Sequence, residues 1–82
     1  MHAATSAILE FFDYGHLKEG PVRDASMPFS ELARRVANGP ANAETTVALR
    51  KLLEAKDAAV RAVVAEQATR IERRPIRDNP QA

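Results

Sequence analysis

Apolar residues recur at helical spacing in three blocks of the 82-residue chain, and none of the blocks alternates as a strand would. The first block, TSAILEFFDYG, places Ile8, Leu9, Phe11 and Phe12 at that spacing. Thr5 or Ser6 can cap its start and Gly15 can close its end, so a short helix ending at Tyr14 is expected. GHLKEGPVRD follows as a connection, with Pro21 suited to the first turn of the next helix. In VRDASMPFSELARRVANGP, Phe29, Leu32, Ala33 and Val36 form one apolar face at i, i+3, i+4 and i+7. Pro28 has no N–H for the carbonyl of Asp24, so this helix either kinks there or restarts with Ser26 as its cap. Asn38-Gly39-Pro40 ends it.

Asn42 can cap a third helix with Glu44 in its first turn, and no glycine or proline interrupts the chain from Ala43 to Arg73. At 1.5 Å per residue that helix is roughly 45 Å long, about twice its predecessor. A short loop between two helices makes an antiparallel hairpin. The expected fold is therefore all-α: a short N-terminal helix plus an antiparallel helical hairpin with a long second arm. Residues 1–74 form one domain, and 75–82 a flexible tail. The overhanging arm carries Val60, Val63 and Val64, which need cover, and a second copy of the chain is the simplest supplier.

A chain this short buries little more than half of its unfolded surface and commonly relies on disulfides, a metal or oligomerisation. It has no cysteine, which removes disulfides and thiolate metal sites. His2 and His16 lack partners at ligand spacing, so neither a metal nor a cofactor is expected, and oligomerisation remains. No segment approaches the ~20 apolar residues of a membrane span, and no basic region precedes an apolar run at the N-terminus. A soluble, intracellular protein is expected.

The net charge of +1 does not suit a general nucleic-acid binder. Its distribution is uneven: residues 1–69 hold 8 basic and 9 acidic groups, and residues 70–82 hold 4 and 2. Arg70, Arg73, Arg74 and Arg77 read most simply as cations favourable to a helix C-terminus. Within ALRKLLEAKDAAVRA, Arg50, Glu54, Asp57 and Arg61 form a ladder of i,i+3 and i,i+4 neighbours. Each such pair stabilises a helix by only about 0.2–0.5 kcal/mol. Two readings stand: a solvated face of mutually cancelling charges, or carboxylates that orient arginines toward a phosphate. Tyr14, the only tyrosine, is either an aromatic lid on the hairpin or a stacking platform for a nucleobase. Nothing looks catalytic. There is no nucleophile triad and no glycine-rich phosphate loop. Arginines beside Glu54 and Asp57 would keep both ionised, which defeats an acid–base pair.

The motif ALRKLLEAKDAAVRA, preceded by PANAETTV, resembles the hairpin domain of the phage anti-CBASS cyclic-nucleotide sponges, a hairpin shared with the Thoeris anti-defence sponges. FFDYGHL followed by ASMPFSELA resembles the actinobacteriophage branch, and the likeness covers roughly residues 8–66. The resemblance implies a homohexamer without enzymatic activity, acting in the cytoplasm of an infected bacterium. It would bind cyclic dinucleotides such as 3′,3′-cGAMP and hold them away from the host effector. Some relatives also take cyclic trinucleotides at separate sites on threefold axes.

Three family positions carry across. Tyr14, in YGHL, matches the base-stacking tyrosine. Arg61, in AVRA, matches the arginine that reaches the ligand from the partner chain, with Asp57 placed to orient it. Met27, in SMPF, stands where the family has a phosphate-contacting lysine. Methionine offers a phosphate no charge, and the nearby cations are Lys18 and Arg23. A hydrogen bond to a charged group contributes ~1.5–3 kcal/mol, so the missing lysine corresponds to a loss of roughly ten- to hundredfold in affinity. Two rival readings remain: a structural or protein-binding helical hairpin with no nucleotide ligand, and a nucleic-acid accessory acting through the arginine tail.

Overall fold

A computed structural model describes residues 3–78, and the side chains of residues 3–70 among them. Three helices account for most of the described residues: α1 (Ala3–Leu9), α2 (Pro21–Ala37) and α3 (Ala43–Asp78), with no strand among the described residues. The longest dimension is 61 Å. It is set by α3, whose 36 residues span roughly 54 Å.

The first block is shorter than its apolar spacing suggests. Its α-helix ends at Leu9, a single 3-10 turn covers Glu10–Phe12, and the backbone is extended at Asp13. Asp13 accepts the N–H of Gly15 on its side-chain oxygen at 2.9 Å, a local bond that competes with helix continuation. Tyr14 therefore lies in a loop and not at a helix end. Thr5 is not a cap either, because it is buried within α1.

Helix α2 starts as expected, with Pro21 in its first turn. Gly20 before it has φ 147°, a backbone that favours glycine. The helix runs unbroken through Pro28. Ser26 does not restart it; its buried hydroxyl donates to the carbonyl of Val22 one turn back, at 3.0 Å. Pro28 and Asp24 are both exposed, so the carbonyl that loses its donor lies on the solvent side. At the end, Asn38 N–H reaches Arg34 O at 3.0 Å and Gly39 N–H reaches Val36 O at 3.1 Å.

Asn42 caps α3, its side-chain oxygen accepting the N–H of Thr45 at 3.2 Å. The Thr45 hydroxyl also donates to Pro40 O, tying the connection to the first turn. The far end differs from expectation: α3 continues past Arg73, through Pro75, to Asp78. A proline removes one intrahelical bond, and the backbone on either side of it remains helical. Of the tail expected from residue 75, residues 79–82 lie outside the described residues, as do the side chains of Arg73, Arg74 and Arg77.

The core sits where the 3-10 turn, α2 and the first turns of α3 meet. Phe12, Ala33, Ala37 and Leu49 are buried, with Ile8, Leu9, Phe29, Val36, Leu52 and Leu53 packed around them. The small Ala33 and Ala37 admit Leu49, which is completely buried. Leu32, expected on the same face, is 47% exposed. It lies one residue away from Ala33, or about 100° around the helix, which turns it out of the contact.

Candidate functional site

The loop after the 3-10 turn and the middle of α3 form two neighbouring groups of polar side chains. In the first, Asp57 and Arg61 on α3 line a hollow of about 460 Å³ together with Lys56, Asp13, His16 and Leu17. Glu10 lines it too, so two cations and an imidazole face the hollow beside three carboxylates, with Phe11, Leu17 and Val60 as its apolar wall. A mixed lining of this kind offers an anion only its individual cations, above all Arg61, beside apolar wall that suits a flat group.

The ladder drawn along this helix is not formed. Asp57 pairs with its sequence neighbour Lys56 at 3.4 Å. No ion pair joins Asp57 to Arg61, or Arg50 to Glu54, among the described residues. The short reach of aspartate and the proximity of the half-buried Lys56 favour the adjacent partner. Arg61 is consequently exposed with its donors uncommitted, and Asp57 does not orient it.

The second group is built around Tyr14. Its carbonyl accepts the N–H of Leu17 at 3.0 Å, which together with the Asp13–Gly15 bond fixes the loop backbone. The guanidinium of Arg23, on the first turns of α2, lies over the tyrosine ring at 5.4 Å from its centroid. That distance is within the ~6 Å of an attractive cation–π contact. Tyr14 is half-buried under this cover and is not among the residues lining the Arg61 hollow. Met27, one turn beyond Arg23, is half-buried and shares a second hollow with Glu19, Gly20, Arg23 and Asp24. Lys18 is exposed in the loop before Pro21.

The structure thus brings Asp57 with Arg61 in one hollow and Tyr14 under Arg23, while Met27 meets Arg23 in a hollow that Tyr14 does not line. It adds two residues that periodicity did not single out. Lys56 competes for Asp57, and His16 faces the same hollow as Arg61. Adjacency in sequence signals the Lys56 contact. Only the path of the loop reveals His16. Among the described residues, no group of three or more histidine or acidic side chains is arranged to hold a metal, and no helix is long and apolar enough to cross a membrane. No family model matches the chain, and no curated protein or solved structure was found that matches it.

Proposed function

We propose that the protein binds cyclic oligonucleotide signals without cleaving them, and so sequesters them from an effector that they would activate. In this reading it is a phage anti-defence protein of the CBASS-opposing kind, acting in the host cytoplasm. The observation that carries it is the pairing of a half-buried aromatic ring under Arg23 with an uncommitted arginine, Arg61, on the adjoining helix. Base stacking and a cation for a phosphodiester are the two contacts that a cyclic dinucleotide requires.

The proposed assembly completes the site. Helices α2 and α3 form an antiparallel hairpin, and copies of it associate, up to a homohexamer by resemblance. A ligand with near-twofold symmetry suits a twofold axis on which each protomer offers Tyr14 and its partner offers Arg61. Exposed Phe11, Leu32, Val47 and Val64 support association of the hairpins. The same four residues also favour the second reading, a self-associating or protein-binding hairpin with no nucleotide ligand.

Isothermal titration with 3′,3′-cGAMP separates the two. The sponge reading expects saturable binding near one ligand per two chains, with the nucleotide recovered intact. It further expects Arg61→Ala to weaken binding roughly ten- to hundredfold, as for loss of a hydrogen bond to a charged group. Oligomers that give no heat with any cyclic di- or trinucleotide, at several temperatures, would leave only the structural hairpin.

A further inference from the structure

Arg23 differs from every other described arginine. Arg34, Arg35, Arg50, Arg61 and Arg70 are exposed, whereas Arg23 is half-buried. Its guanidinium lies over the Tyr14 ring. Yet none of its N–H donors is committed to an ion pair or hydrogen bond with a described residue, although Glu19 and Asp24 line the same hollow. A guanidinium stacked on a ring and without an acid partner keeps its in-plane donors available to a further group.

We propose that Arg23 is a ligand-binding residue of the nucleotide site, its face holding the Tyr14 ring in place and its edge donating to a ligand phosphate. The proposal rests on the nucleotide-binding reading above and names the cation that the site uses where Met27 offers none. A guanidinium can do both at once, because its flat face stacks on an aromatic ring while its donors lie in its own plane. The two turn bonds of the 13–17 loop act on the backbone around Tyr14 and place no restraint on its ring. The Arg23 contact supplies the missing restraint. With one ring face covered by Arg23, a base stacks on the other.

The surroundings of Arg23 also set a limit on the ligand. Glu19 and Asp24 line the same hollow as Arg23 and Met27. They repel a densely charged group. One phosphodiester charge at the guanidinium edge is accommodated, and a triphosphate beside two carboxylates is opposed. The site therefore favours cyclic dinucleotides over nucleoside triphosphates carrying the same bases.

Tyr14 provides the readout, since the chain has one tyrosine and no tryptophan, so its emission reports on that ring alone. The full chain and the Arg23→Ala and Arg23→Lys variants are compared by circular dichroism, acrylamide quenching of tyrosine emission, and titration with 3′,3′-cGAMP and with GTP at several salt concentrations. Helix content is expected to be retained. Arg23→Ala should expose Tyr14 to acrylamide before any ligand is added. It should also weaken cyclic dinucleotide binding roughly ten- to hundredfold and flatten its salt dependence. Arg23→Lys, which keeps the charge and loses the planar stack, should fall between the two and decides the matter if the alanine variant fails to fold. GTP should bind the wild type more weakly than the cyclic ligand. Unchanged affinity, salt dependence and quenching in both variants would overturn the role of Arg23 while leaving the sponge reading standing. A wild-type protein whose emission and heat respond to no cyclic nucleotide would remove that reading, and this proposal with it.

Discussion

The first turns of α3 and its far half share one vocabulary of alanine, valine and closely spaced charges, yet they are held in different ways. In the first turns, Leu49 has no exposed surface, and Leu52 and Leu53 pack against the residues around it. Farther along, Val64 is 50% exposed. There the side-chain bonds are internal to the helix: Thr69 Oγ1 donates to Ala65 O at 3.0 Å, and Arg70 Nε meets Glu66 Oε1 at 3.2 Å. Tertiary packing holds the first turns, and among the described residues i,i+4 contacts within the helix are what the stretch from Ala65 to Arg70 shows. The second kind of support is weak, because an isolated helix of this length is only marginally stable in water. A stretch whose described side-chain bonds stay within the helix, and whose Val64 is half exposed, is suited to packing on another copy.

The largest effect expected from this contrast is at Leu49. Replacing it with alanine leaves a cavity against Ala33 and Ala37, neither of which can fill it. The loss should be about 2–5 kcal/mol, read from urea unfolding of the dilute protein. For a small helical domain that is a large share of the total stability. A loss under ~1 kcal/mol would mean that the first turns are no better anchored than the far half, and the contrast would disappear.

Asn42→Ala comes next. It removes the acceptor of the Thr45 N–H and one of the partners around the Thr45 hydroxyl. The expected loss is ~1 kcal/mol, with the unfolding cooperativity unchanged. Amide exchange should rise in the first turn of α3 and stay constant near Val64. An equal rise along the whole helix would show the two halves to be one cooperative unit.

Local chemistry made much of this fold legible. Pro21, the Asn38-Gly39-Pro40 stop and the Asn42 cap act within one turn of themselves, so their roles follow from adjacent residues. The misread positions are those where a short polar side chain bonds its own backbone. Asp13 takes the Gly15 N–H and ends the helix before Tyr14; Ser26 bonds back to Val22 inside α2 and leaves no cap to find. The candidate site was less legible still. Tyr14 and Arg61 could be named individually. The contact of Arg23 with Tyr14 crosses a loop, and helical periodicity has nothing to say about such a pair. The Asp57–Arg61 spacing was suitable for a pair, but spacing permits a contact without selecting it, and Lys56 lies closer.

The smallest effect on the single chain, and the most informative for the far half, is expected from Val64→Glu. Glutamate is a good helix former, and at a half-exposed position it should change the stability of the dilute chain by no more than about 0.5 kcal/mol. In an assembly that covers this face, the same change places a carboxylate in an apolar contact, where an unpaired charge is costly. Mass measured by light scattering should therefore fall toward that of a single chain in Val64→Glu while the wild type stays larger across the same concentration range. Glu54→Gln, farther from the overhang, should leave the mass unchanged. If Val64→Glu alters neither stability nor mass, the far half is a solvated helix, and the case for covering it with a second copy is lost. If the mass falls and cyclic dinucleotide binding falls with it, ligand and assembly share one site. The arginine supplied from the partner chain would then be needed for the ligand to bind at all.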